Sequence, residues 1–215
     1  MGKQQKLGEL KKEMEKCKKC RLWKTRTNIV FGEGNPDAEI VFVGQCPGYW
    51  EDKEGRPFVG QAGKLLNQLL KSIGIERKDV FITNVVHDRP PGNRDPLPEE
   101  VEACEPYLDH QLEIIGPKII VTLGRFAMNK FIPNGKITKI HGQPNFVNWQ
   151  KRRIIVLPLF HPAAALRNAK ILEQLKEDLQ KIPKVLEKRI EVGEKKIRQT
   201  GEVKREGTEQ LVLTV

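Results

Sequence analysis

Long hydrophobic runs are missing from this chain. No stretch approaches the roughly 18 to 20 uninterrupted apolar residues that span a bilayer. The first six residues, Met-Gly-Lys-Gln-Gln-Lys, lack the apolar core of a secretory signal. Internal repeats and low-complexity tracts are absent as well. We therefore expect a cytoplasmic protein that makes no membrane contact, and we take it to be a monomer.

Cysteine is also scarce. The chain has four, Cys17, Cys20, Cys46 and Cys104. In a cytoplasmic protein, the spacing Cys17-Lys-Lys-Cys20 is more typical of a metal or cluster site than of a disulfide. The pair therefore predicts a metal-binding segment near the start of the chain.

Negative charge is under-represented. The formal net charge is +10, and residues 1–26 hold ten Lys or Arg against three Glu. A clustered positive surface attracts a polyanion and releases counterions when it binds, which makes nucleic acid the first partner to consider. The Lys/Glu-rich surface of a heat-adapted protein has a similar composition, and charge alone does not separate the two interpretations.

The apolar pattern predicts an α/β protein. Four short, β-branched runs read as strands buried on both faces of a parallel sheet, at 39–44, 80–86, 119–124 and 153–159. Helical patterns flank them at 3–19, 62–73, 95–115, 124–131 and 163–181. This alternation predicts a three-layer α/β/α sandwich with a central, mostly parallel four-stranded sheet.

The composition changes near residue 183. We expect one domain over 1–182, with the cysteine-containing segment at its start, and a charged tail over 183–215 that ends in apolar residues. Within the tail, Gln210-Leu-Val-Leu213 is faintly similar to sliding-clamp peptides but lacks their aromatic pair. This similarity makes a sliding clamp a candidate partner.

The strand ends carry the unusual residues. In open α/β sheets, ligands bind outside the carboxyl ends of the strands. The segments there are GQCPGYWED (44–52), RPFVGQAG (56–63), TNVV (83–86), RPPGNRDP (89–96) and HPAAALRN (161–168). Together and in this order, they resemble the family 4 uracil-DNA glycosylases, the iron–sulfur type of thermophilic archaea and bacteria. The resemblance covers about residues 7–180.

This resemblance implies a DNA repair enzyme of base excision. Such an enzyme flips uracil out of single- or double-stranded DNA and hydrolyses its N-glycosidic bond, which leaves an abasic site. Phe58 would stack on the uracil, Asn84 would read its Watson–Crick edge, and His161 would donate a hydrogen bond to O2 as charge develops there. Gly44 belongs to the same substrate-binding set, and Glu51 would close the ring edge where thymine has its methyl group.

Physical chemistry supports these roles but leaves alternatives. A carboxamide can match the O4 acceptor and N3 donor of uracil, whereas cytosine presents the opposite pattern. Taken singly, Phe58 also fits an ordinary core, Asn84 a turn and His161 a capped loop. By the same resemblance, the loop residues Ala165, Leu166 and Arg167 would enter the duplex in place of the extruded base.

The first motif departs from the family pattern. Members usually have Gly-Glu-Ala-Pro-Gly where this chain has Gly-Gln45-Cys46-Pro-Gly. Gln45 and Cys46 are candidate catalytic positions, although Cys46 also fits a buried thiol in place of alanine. The alternative function is a protein that binds uracil or another lesion with weak, covalent or altered-base activity.

The metal-binding set departs too. The resemblance implies a [4Fe-4S] cluster on four cysteines, and Cys17, Cys20 and Cys104 match three of them. The remaining position is Asp88, which we expect to be the fourth ligand ahead of its neighbour His87. Zinc held by three thiolates and a carboxylate is the fallback.

Overall fold

A single twisted sheet organises the chain. The structure, a computed structural model, describes residues 1–150 and 152–187. Within these residues the sheet has six strands in the order β1-β3-β2-β4-β6-β5. The strands are β1 (Glu33–Gly34), β2 (Ile40–Gly44), β3 (Phe81–Asn84), β4 (Ile119–Leu123), β5 (Asn145–Trp149) and β6 (Arg152–Leu159).

The four predicted strands form the parallel centre of the sheet, which confirms the α/β class. The predicted strand number of four was too low, because β1 and β5 add antiparallel edges. Strand β1 has only two residues, and β5 is half-buried with alternating polar positions. Neither therefore produces the continuous apolar run by which the central strands are recognised.

Helices cover both faces of the sheet. They are α1 (Lys3–Glu15), α2 (Tyr49–Glu54), α3 (Gln61–Ser72), α4 (Pro98–Ile115), α5 (Arg125–Phe131), α6 (Ile137–Ile140), α7 (Pro162–Ala165) and α8 (Ala169–Leu179), with short 3₁₀ turns at Arg21–Lys24, Arg77–Asp79 and Pro91–Asn93. The single helix predicted over 163–181 is interrupted, because the Asn168 side chain accepts a hydrogen bond from the Ile171 N–H and caps a new helix.

Alternate residues of each central strand face opposite layers. Val41 and Val43 join one buried cluster with helices α1, α4 and α5. Ile40 and Phe42 join the other, with α3 and α8. Because side chains alternate across a strand, this division produces the predicted three-layer sandwich with a core on each face.

The two ends of the described chain both pack on this body. Leu7, Leu10 and Met14 of α1 are buried in the first core. Residues 181–187 are helical, and Ile182 and Val185 are buried in the second core, so packing continues past the boundary predicted at 182. The remainder of the predicted tail, with its clamp-like segment, lies outside the described residues. No described helix combines the length and apolar character needed to cross a membrane.

The start of α3 depends on a glycine. A Cβ at Gly63 would lie 1.7 Å from the Phe58 carbonyl oxygen and 2.8 Å from its Cα. The helix therefore approaches the 56–60 loop more closely than any side chain permits, and this contact fixes where that loop sits.

We predict that Gly63→Ala lowers the free energy of unfolding by about 1–3 kcal/mol, because the loop must move to admit the methyl group. Guanidinium denaturation measures this change. Gly8→Ala is the matched control, because a Cβ at Gly8 of α1 meets nothing within 4 Å. It should raise stability by about 0.5–1 kcal/mol. Equal effects of the two substitutions would contradict the proposed close contact.

Candidate active site

The ends of β2 and β3 form the floor of the site. Gly44 and Asn84, the last residues of these strands, are register partners. A Cβ on Gly44 would lie 2.3 Å from Asn84 Oδ1 and 2.7 Å from two atoms of the Phe58 ring. Because Gly44 has no side chain, the ring of Phe58 and the amide of Asn84 can both lie against its backbone.

Phe58 is held in a strained backbone conformation. Its φ angle is 50°, in the left-handed region that L side chains rarely adopt. Arg77 donates hydrogen bonds to the carbonyl oxygens of Pro57 and Phe58, and its guanidinium also pairs with Glu33 at 2.7 Å. Backbone strain of this kind persists only where surrounding contacts impose it, and it is concentrated at functional sites.

Glu51 ties two loops of the site together. Its Oε1 accepts hydrogen bonds from the backbone N–H groups of Val59 (2.9 Å) and Gly60 (2.8 Å), and its Oε2 accepts from Gly48 (3.2 Å). The carboxylate thus joins the loop after β2 to the loop that carries Phe58. The resemblance assigned Glu51 to the thymine-excluding wall, and in the structure it positions the Phe58 loop.

Asn84 is a buried amide without a partner. The residue is 2% exposed. Among the residues that the structure describes, none forms a hydrogen bond with its side chain. Because its hydrogen-bonding groups are not used within the described part of the protein, this amide is available to a ligand.

His161 completes the group from the end of β6. Its ring stacks on Phe58 with centroids 5.6 Å apart and planes 28° from parallel. His161 Nδ1 accepts a hydrogen bond from the Ala163 N–H at 3.1 Å, which places the ring proton on Nε2. Burial lowers the pKa of His161 to about 4, with the Glu51 charge opposing the shift. The imidazole is therefore neutral near pH 7 and has one N–H to donate.

Gln45 and Cys46 lie beside a carboxylate that the sequence interpretation missed. Gln45 Nε2 donates to Asp95 Oδ1 at 2.8 Å, and Asp95 also pairs with Arg125 at 2.5 Å. The sequence suggested Asp95 as the start of a helix, but α4 begins at Pro98. No local signal marks the pairing of Asp95 with Gln45, because 50 residues separate them.

The structure divides the three residues expected to contact DNA after β6. Leu166 and Arg167 are exposed at the end of α7. Ala165 is 3% exposed and packs in the second core, so it does not reach the surface. This corrects the expectation for Ala165. Because α7 is a single turn that packs on the second core, Ala165 faces the core while Leu166 and Arg167 face solvent.

Cys46 and the metal-binding candidates are buried to different degrees. Burial, followed by the charge of Asp95, raises the pKa of Cys46 to about 12, so the thiol stays protonated near neutral pH. Burial also raises the pKa of Cys20, and that of Cys104 to about 12. Each of these two thiols interacts electrostatically with Cys17 and Asp88, which places the four predicted ligands in one neighbourhood.

The thiols of this neighbourhood are suitable metal ligands in kind, but the carboxylate of Asp88 is already paired with Arg26. Arg26 Nη1 donates to both oxygens of Asp88, at 3.1 and 3.0 Å. In the described part of the chain, no three Cys, His, Asp or Glu side chains are gathered closely enough to hold a metal ion. His87 Nδ1 bonds the Val30 carbonyl at 3.0 Å, and its Nε2 is buried without a partner.

Comparisons with known proteins agree with this geometry. The model of the uracil DNA glycosylase superfamily matches residues 31–183. A type-4 uracil-DNA glycosylase of Sulfurisphaera tokodaii is 56% identical over 182 residues, which is 82% of this chain and 83% of that protein. Type-4 enzymes of Saccharolobus solfataricus (49% identical; 81% and 83% covered) and Archaeoglobus fulgidus (49%; 82% and 91%) are also similar. The resemblance read from the motifs is thus confirmed, and the chain belongs to the type-4 uracil-DNA glycosylases within the uracil-DNA glycosylase superfamily.

Proposed function

We propose that this protein removes uracil from DNA by hydrolysing the N-glycosidic bond, as the first step of base excision repair. The observation that carries the proposal is the amide of Asn84, which has no hydrogen-bond partner among the described residues and shares the space above Gly44 with the ring of Phe58. Membership of the type-4 glycosylases supports the same reaction.

Base recognition is assigned to Asn84 and Phe58. The Asn84 amide presents one donor and one acceptor, which match O4 and N3–H of uracil. Cytosine has the opposite pattern and would leave buried groups unpaired. Phe58, fixed by its strained backbone, offers a flat apolar face to the base.

Departure of the base is assigned to His161. As the glycosidic bond stretches, negative charge develops on the uracil, and a donor already aimed at O2 stabilises that charge without reorganisation. The neutral imidazole has its Nε2–H free for this task, because Nδ1 is occupied by the Ala163 N–H. A neutral donor also avoids placing a full charge in a buried site.

Attack by water is assigned to the neighbourhood of Gln45. Its amide nitrogen is committed to Asp95, so its Oε1 remains to accept a hydrogen bond from a water molecule. The protonated thiol of Cys46 fits a packing role, and its environment does not favour the covalent alternative.

DNA binding is assigned to the exposed cations and to the loop after β6. Residues 1–26 carry an excess of Lys and Arg, and most of these side chains are exposed. Leu166 and Arg167 are the exposed residues proposed to fill the space left by the extruded base.

An iron–sulfur cluster is proposed for the cysteine neighbourhood. Cys17, Cys20 and Cys104 would supply three thiolates and Asp88 the fourth ligand, once released from Arg26. Zinc on the same residues is the fallback. When bound, the group would fasten the N-terminal segment to α4 and take no part in the glycosidic chemistry.

The function is tested with an oligonucleotide that holds one uracil. We predict alkali-labile cleavage at that position, and a rate about 10- to 100-fold lower for Asn84→Asp, because a mismatched buried group costs about 1–3 kcal/mol. Asn148→Asp, on the exposed side of β5, is the control and should keep the wild-type rate. Absence of cleavage by metal-loaded wild-type protein, on single-stranded and G·U duplex substrates, would refute the proposal.

The role of His161 predicts a specific pH profile. Because its pKa is about 4, the single-turnover rate should show no step near pH 6.5, where an ordinary histidine titrates, and should fall only as the pH approaches 4. His161→Gln should lower the rate by about 10²- to 10³-fold. A rate that rises with protonation near pH 6.5 would instead indicate a charged imidazole.

The metal assignment predicts that Asp88→Cys strengthens iron binding. A fourth thiolate replaces a carboxylate that Arg26 now holds, so iron should leave the variant more slowly in a chelator. Loss of the thiolate-to-iron absorption, with iron and zinc analysis, measures this. Cys46→Ser, a thiol outside the set, should behave as wild type, whereas Cys104→Ser should lose iron. Equal iron loss from Asp88→Cys and wild type would contradict the assignment.

A further inference from the structure

An exposed aromatic pair stands beside the proposed uracil site. Tyr49 and Trp50 begin α2, immediately after the Gly44–Gly48 loop, and are 49% and 53% exposed. Single exposed apolar residues are common on protein surfaces, but adjacent large aromatic residues at a site entrance are not explained by that tendency.

The two rings do not stack face to face on one another. Their centroids are 5.1 Å apart and their planes are 83° from parallel, an edge-to-face arrangement. Because the rings do not cover one another face to face and about half of each residue is exposed, the pair leaves aromatic surface on which a planar group can lie.

A cation lies over each ring. The Arg89 guanidinium lies 5.1 Å from the Tyr49 ring centre, and the Lys53 ammonium lies 5.8 Å from that of Trp50. Arg89 is held in place by a hydrogen bond to Asn93 at 2.7 Å. Flat aromatic faces bordered by positive charge are the combination that binds the bases and phosphates of single-stranded nucleic acid.

The pair is joined directly to the loop that carries Phe58. A Cβ at Gly60 would lie 3.6 Å from Trp50 Cδ1. Gly60 in turn donates its N–H to Glu51, the residue next to Trp50. Any strand whose uracil rests on Phe58 therefore passes close to these two rings.

We propose that Tyr49 and Trp50 form a stacking platform for unpaired bases of single-stranded DNA next to the everted uracil, with Lys53 and Arg89 contacting the adjacent phosphates. The proposal rests on the proposed function, because uracil in the site fixes the path of the strand. Base-paired DNA hides the faces of its bases, so the platform selects single-stranded or locally opened DNA.

The test follows Trp50 directly. The chain has three tryptophans, so Trp23→Phe with Trp149→Phe leaves Trp50 as the only one. Titration with uracil-free oligothymidylate should quench the Trp50 emission and saturate together with binding, as followed by the anisotropy of a labelled strand. Unchanged emission at saturation, or equal quenching by a uracil-free duplex, would overturn the proposal.

Affinity supplies the second measurement. Tyr49→Leu with Trp50→Leu should weaken binding of the uracil-free single strand by about tenfold for each base that loses its stacking partner. Trp50→Phe should keep most of the affinity. Trp149→Leu is the control and should bind as wild type, since Trp149 pairs with Arg152 at the amino end of β6, away from the site.

These readouts separate the platform from the reaction. Because the strand contains no uracil, quenching and loss of affinity would support the platform even if uracil excision failed. Excision by the wild-type protein, together with wild-type affinity in the double leucine variant, would overturn the platform and leave the proposed function intact.

Discussion

The site depends on the close approach of two residues, Phe58 and Asn84, to one backbone position without a side chain. Gly44 ends β2 where Phe58 and Asn84 come within the space that a Cβ would fill. The register of β2 with β3 places Asn84 beside Gly44. The contact of Gly63 with the Phe58 backbone fixes the position of the loop that carries the Phe58 ring. The pairing of β2 with β3 and the start of α3 thereby place the Phe58 ring and the Asn84 amide next to one another.

Three side chains of the site carry no net charge near neutral pH, whereas the surroundings of the site are rich in Lys and Arg. Asn84 has no charge, His161 has a pKa of about 4, and the raised pKa of Cys46 keeps its thiol protonated. Both carboxylate oxygens of Glu51 accept hydrogen bonds from backbone N–H groups. A site lined by uncharged groups would accept an uncharged base readily and, in the proposed reaction, would leave His161 to act when charge develops on that base. Exposed lysines and arginines outside the pocket supply attraction for the phosphates.

Features that depend on short stretches of sequence were predicted well. The central strands are continuous β-branched runs, and the rule that ligands gather at the carboxyl ends of such strands made Gly44, Asn84 and His161 the candidates for the site. The edge strands escaped prediction because β1 is too short and β5 too polar to carry a signal. Ala165 was placed on the wrong side of its short helix, because one turn has too few residues to show a periodicity.

Contacts between residues far apart in the chain could not be predicted from a single sequence. Arg26 and Asp88 are 62 positions apart, and Gln45 and Asp95 are 50 apart. In both pairs, the sequence around one residue gives no indication of its partner. Both pairs bear on function: the first occupies the carboxylate expected to bind metal, and the second brings an acid next to the position where Gln45 replaces the glutamate usual in the family.

The central claim is that one pocket, built on Gly44, binds uracil between an amide and an imidazole. A crystal structure of the protein soaked with uracil tests it most directly. The account predicts the base lying flat on Phe58, with Asn84 and the Nε2 of His161 each roughly 2.7–3.2 Å from its polar edge atoms. Uracil bound elsewhere, or bound with the Asn84 amide turned away from it, would contradict the account.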